Sequence, residues 1–164
     1  MSYSNAFFQA LEMIIFLDVT SKKHDGEFLS TKLIATSLGL PQPTIAKIFG
    51  KLKSANLISA KEGAHGGMAI EKPLSEITML DVFTAIESGN VLFKTQANMK
   101  IKGEAIDKIN ASIKNELAQT EKAMKEFLNK TTLEDLLKNY DDEIVCNENV
   151  TMEGGEQFAL SDIE

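Results

Sequence analysis

Between two short segments of strand character, Leu57–Lys61 and Met68–Glu71, the chain carries Glu62-Gly63-Ala64-His65-Gly66-Gly67. Three glycines in six residues fit a hairpin tip, because glycine takes the positive φ angles that a tight reversal needs. A two-stranded hairpin is marginal by itself in water. It must lie against other elements, and the residues on either side predict which.

Upstream the pattern is helical. From Asn5 to about Thr20, the residues Phe7, Phe8, Leu11, Ile14, Ile15 and Val19 recur at helical spacing, and their crowding predicts deep burial. His24-Asp25-Gly26 reads as a turn. Ser30 can cap a short helix over Thr31–Leu38, which Gly39 ends. Leu40-Pro41-Gln42 is a tight connection, and Pro43 suits the first turn of a third helix running to about Asn56. Downstream, Pro73 ends the second strand and Thr78-Met79-Leu80-Asp81 is a capping box for a helix to about Glu87. Ser88 to Gly103 reads as a loop, and a long helix spans about Glu104–Asn129. Thr131-Thr132-Leu133-Glu134 opens a last short helix. Asp141 to Glu164 holds eight acidic residues and no lysine, an acidic tail.

Helix, helix, turn, helix, strand, glycine tip, strand is the order of a winged helix-turn-helix. The expected fold class is therefore mainly α (α+β), with a two-stranded wing and a long C-terminal dimerisation helix. The expected division is 1–88 for the winged domain, 89–140 for an effector loop and dimerisation helices, and 141–164 for the tail.

The third helix has two faces. Ile45, Ile48, Phe49 and Leu52 form an apolar stripe, while Thr44, Lys47, Lys51 and Ser54 recur on another face. Gln42 and Thr44 at its start would sit nearest base edges, with Pro43 between them in the DNA-binding set, and Lys47 and Lys51 nearest phosphates. Lys61 and His65 flank the slim tip and can approach phosphates or a minor groove, whereas Glu62 would repel them. The overall charge of −7 conceals an asymmetry. Residues 1–103 hold eleven lysines against nine acids, and Phe28 to Lys61 holds five lysines and no acid. Local field, rather than total charge, governs docking of a polyanion. The chain has no arginine, so bidentate guanine recognition is missing and the positive groups are point charges suited to phosphate. Taken alone, such a lysine face is equally a solvated surface.

In the long helix Ile106, Ile109, Ile113, Leu117, Thr120, Met124 and Phe127 fall close to a heptad seam. A dimer seam and an ordinary amphipathic helix packed on its own domain both fit that spacing. The apolar loop residues Leu92, Phe93, Met99 and Ile101 either fill a dimer core or form an effector site for a small molecule or protein. The single cysteine, Cys146, is either a redox sensor or a bystander, and Asp142, Glu143 and Glu148 around it disfavour a thiolate. No Cys/His cluster, nucleophile–base pair, phosphate loop or dinucleotide signature is present, so no cofactor, metal site or enzyme activity is expected. The longest apolar run, Met13–Leu17, is too short for a membrane, and the residues before it do not read as a signal peptide. A cytoplasmic protein is expected.

The pattern Ile45 to Ile58, the wing Gly63-Ala64-His65-Gly66-Gly67, the segment Ile77-Thr78-Met79-Leu80-Asp81-Val82 and the closing Thr131-Thr132-Leu133-Glu134-Asp135-Leu136-Leu137 together resemble the Rrf-two family of bacterial winged-helix transcription regulators. The resemblance covers about residues 1–140. It implies a homodimer, joined through the long helix, that binds a palindromic operator on double-stranded DNA. Cluster-binding members carry three closely spaced cysteines before the long helix, and Gly89 to Gly103 has none. Glu62 stands where cluster-type members often have a wing arginine, Met68 where many have tyrosine, and Ala46 where one has a recognition-helix glutamate. The expectation is a cluster-free regulator of repressor type. The alternative is a winged-helix protein-interaction module that does not bind DNA.

Overall fold

The computed structural model describes residues 5–23, 28–63, 66–89, 91–96 and 100–138. The turn at His24-Asp25-Gly26, the wing-tip residues Ala64 and His65, Met99, Cys146 and the acidic tail lie outside the described residues. Helix α1 is Ala6–Lys23, α2 Thr31–Leu38 and α3 Gln42–Ser54. Strands β1, Ile58–Lys61, and β2, Gly67–Ile70, pair antiparallel with Ile58 opposite Ile70 and Lys61 opposite Gly67. A 3-10 turn, Leu74–Glu76, leads to α4, Met79–Glu87. Helix α5 runs Glu104–Lys130 and α6 Leu133–Leu137. This is the winged helix expected from the order of elements.

Local chemistry sets most of the boundaries. Ser30 accepts a hydrogen bond from the Leu33 amide, and Thr78 and Thr132 each close a reciprocal capping box, with Asp81 and Asp135. Helix α2 stops at Gly39 in the left-handed region, where the Leu40 amide reaches back to the Ala35 carbonyl. Helix α3 stops in the same way, one residue type removed. Asn56 has φ 55°, and the Leu57 amide donates to the Leu52 carbonyl at 3.0 Å. Asparagine takes that conformation more readily than other side-chain-bearing residues.

The core is assembled from every element of the winged domain. Met13, Ile14 and Leu17 of α1 meet Ile34 of α2, Ile45, Ile48 and Leu52 of α3, Ile58 of β1 and Val82 and Ile86 of α4. Phe7 and Phe83 join edge to face at 5.4 Å. Helix α1 buries Ala10, Met13, Ile14 and Leu17; of the other residues expected inside, Phe7, Leu11, Ile15 and Val19 are half-buried and Phe8 is 60% exposed. The helix is apolar on several faces, so spacing alone does not select the inner one; its neighbours do.

A contact distant in sequence locks the wing to the body. The Leu29 amide donates to the Met68 carbonyl at 2.9 Å, and the Met68 amide returns to the Leu29 carbonyl at 2.8 Å. A Cβ on Gly67 would sit 2.3 Å from the Leu29 carbonyl oxygen, so only glycine permits the two backbones to meet. A second such bridge joins the two capping boxes. The Met79 amide donates to the Thr131 carbonyl, the Leu133 amide donates to the Ile77 carbonyl, and Leu133 enters the core completely. The far end of α5 is thereby fastened to the winged domain.

Candidate nucleic-acid interface

Helix α3 buries Ile45, Ile48 and Leu52 and turns its other side outward. At about 100° per residue, Pro43, Gly50 and Ser54 fall opposite that stripe, with Ala46, Lys47 and Lys53 beside them. All six are exposed, as is Gln42. No side chain caps the start of α3, because Pro41 stands at the capping position. Its early amides therefore have no side-chain acceptor there.

The expected grouping of Thr44, Lys47, Lys51 and Ser54 on one outward face is corrected by this geometry. Lys47 and Ser54 are exposed, but Thr44 and Lys51 lie on the flank and are half-buried. The Lys51 ammonium donates to the backbone carbonyl of Ile86, near the C-terminal end of α4. That end carries partial negative charge, which suits a cation. Lys51 thus ties α3 to α4 rather than standing free. Lys53, passed over as a contact in the sequence pattern, is exposed instead, with its ammonium 5.9 Å from the Phe49 ring centre. Its place in the acid-free segment was the available signal.

Lys61, at the end of β1, is exposed, and its ammonium lies 6.0 Å from the Phe28 ring centre. Glu62 next to it is exposed as well. Gly63 has φ 110°, and the Gly66 amide donates to the Gly63 carbonyl at 2.9 Å. Between the wing base and α3 lies a hollow of about 340 Å³ lined by Ser30, Thr31, Phe49, Ala60 and Lys61 among others. On the opposite flank of α3 a second hollow, about 440 Å³, is lined by Lys51, Ser54, Lys72, Asp81, Thr84 and Ser88 among others. Helix α3 is therefore a ridge between two troughs, a shape that can enter a groove of duplex DNA.

Helix α5 has no buried residue. Of the expected seam, Ile106, Leu117 and Met124 are half-buried, Ile109 and Ile113 are each 49% exposed, and Phe127 is 70% exposed. Thr120 is exposed, its hydroxyl donating to the Glu116 carbonyl. Of the expected effector residues, Leu92 and Phe93 are half-buried and Ile101 is exposed. They do not line either hollow beside α3.

Comparison with known proteins agrees with this architecture. Residues 3–139 match the family model Rrf2, described as an iron-dependent transcriptional regulator. The HTH-type transcriptional regulator NsrR of Oceanobacillus iheyensis is 28% identical over 130 residues, covering 79% of this chain and 85% of that protein. The structure of CymR, the global cysteine regulator of B. subtilis, superposes with a TM-score of 0.57 at 26% identity, covering 86% of this chain and 99% of the other. A transcriptional regulator structure from Lactobacillus plantarum reaches a TM-score of 0.68 at 16% identity, covering 86% and 94%. Iron–sulfur clusters are held by several thiolates, at times with imidazole. Gly89 to Gly103 contains no cysteine, histidine or carboxylate. Among the described residues no three His, Cys, Asp or Glu gather where they could hold a metal ion, and no helix is long and apolar enough to cross a membrane. The donor set of this loop does not fit an iron centre.

Proposed function

This chain belongs to the Rrf2 family of DNA-binding transcriptional regulators, and from that premise we propose that it is a repressor that binds a palindromic operator as a homodimer and answers a signal other than an iron–sulfur cluster. One observation carries the reading. The outward ridge of α3 presents Gln42, Pro43, Lys47 and Lys53 from a segment with no acidic side chain, beside a wing that begins at Lys61. Lysine ammoniums at the edges of the ridge position the helix on phosphates. Gln42, at its tip, is the polar side chain best placed to reach base edges. The partly exposed isoleucines of α5 support a second copy as the partner of that helix, since an apolar stripe left in water is unfavourable. Two copies would present two recognition ridges to two half-sites. The interaction-module reading keeps the same fold but gives the lysines no polyanion to meet.

Selection of duplexes from a random DNA library tests the reading. The expected result is an enriched motif with inverted half-sites. Retention of DNA without any enriched sequence would contradict it.

A further inference from the structure

Seven glycines are described, and six have a reason inside the fold. Gly39, Gly63, Gly89 and Gly103 have positive φ, while a Cβ on Gly66 or Gly67 would strike backbone at 2.2 or 2.3 Å. Gly50 has neither reason. It lies inside α3 with no positive φ, and a Cβ added there meets nothing within 4 Å. A glycine in a helix interior costs about fivefold in the folding equilibrium relative to alanine. Nothing among the described residues offsets that cost.

Its place on the helix is also particular. Gly50 lies opposite the stripe formed by Ile45, Ile48 and Leu52, at the crest of the ridge between the two hollows, with Lys47 one turn before it and Lys53 one turn after. The Gly50 carbonyl already accepts the Ser54 hydroxyl at 2.9 Å, so the feature on offer is the missing side chain itself. A glycine of this kind permits close approach of a partner to backbone.

On the reading that α3 enters DNA, we propose that Gly50 is the point of closest approach between the recognition helix and the duplex, and that its lack of a side chain sets how deeply α3 seats in the major groove. The flanking lysines reach their phosphates only at that depth. Filling the crest lifts the helix and weakens every contact on the ridge together.

The test uses the full chain, the Gly50→Ala and Gly50→Leu variants, and the duplex that the wild-type protein selects from a random library. Both variants should melt higher than wild type, alanine by about 2–4 °C. Both should lose affinity for the selected duplex, roughly threefold for alanine and more than tenfold for leucine, with helical content unchanged. Unaltered affinity in Gly50→Leu overturns the proposal, and so does a lower melting temperature in Gly50→Ala, which would reveal a need for glycine inside the fold. If the wild-type chain selects no motif, the DNA-binding reading itself fails, and that result is visible before either variant is made.

Discussion

The winged domain and the long helix use the same kinds of apolar residue and treat them in opposite ways. In the winged domain Met13, Ile14, Leu17, Ile34, Ile45 and Leu52 are fully enclosed. Across the 27 residues of α5 none is buried, although isoleucine, leucine, methionine and phenylalanine recur along it. Burial removes apolar area from water at roughly 25 cal/mol per Å², so a single copy leaves much of that gain untaken on α5. Intra-helical ion pairs such as Lys108–Glu104 at 2.7 Å and Lys125–Glu121 at 2.7 Å support α5 only weakly. The winged domain is complete within one chain. Helix α5 is held at its far end, where Leu133 enters the core, and on the proposed reading a second copy covers the rest of its apolar stripe.

The largest expected effect separates the two regions by energy. Leu52→Ala should cost about 2–5 kcal/mol in denaturant unfolding, because the cavity it leaves is wholly enclosed. Ile113→Lys should leave the wing fold intact by circular dichroism yet yield a monomer by sedimentation, with operator affinity falling more than tenfold. If Ile113→Lys unfolds the protein as Leu52→Ala does, or stays dimeric, the contrast between the regions is wrong.

A smaller effect probes the joint between them. Hydrogen bonds from Lys138, and from the amide and hydroxyl of Thr132, hold the Asp135 carboxyl well below its ordinary 3.8, with the ammonium 2.6 Å away. A carboxylate with a depressed folded-state pKa contributes stability that is present above its ordinary pKa. That stability is lost as pH falls through the folded value. Amide protection of α6 should therefore persist at pH 5 and decline below about pH 4. Asp135→Asn should remove its share of that pH dependence. Protection in the variant that declines as steeply as in wild type would sink this account of the joint.

How much of this was legible in the sequence follows from how local each determinant is. Caps at Ser30 and Thr78 and the stop at Gly39 act within a few residues, and the elements they bound lie where expected, whereas the last helix is capped by Thr132 with Asp135, one residue later than the Thr131–Glu134 pattern indicates. The wing was readable from its glycines, but the reason for Gly67 was not, because Leu29 approaches it from 38 positions away. Asn56 gave little sign that it would end α3 in a left-handed turn. The candidate interface was legible as a helix and a lysine-rich segment, not as a face. Whether Lys51 or Lys53 points outward depends on where α4 lies, and no spacing within α3 encodes that. Phe8 escaped for a similar reason, since α1 has more apolar residues than one face can hold.

The central claim is that the outward ridge of α3, as the fold rotates it, meets DNA. The salt dependence of operator binding tests it most directly when wild type, Lys53→Ala and Lys51→Ala are compared side by side. Each neutralised phosphate contributes roughly 0.9 to the slope of log affinity against log salt. The account predicts a steep wild-type slope, a loss of about 0.9 in Lys53→Ala, and little change in Lys51→Ala, whose ammonium is held by Ile86. A flat wild-type slope, or a loss in Lys51→Ala with none in Lys53→Ala, would contradict it.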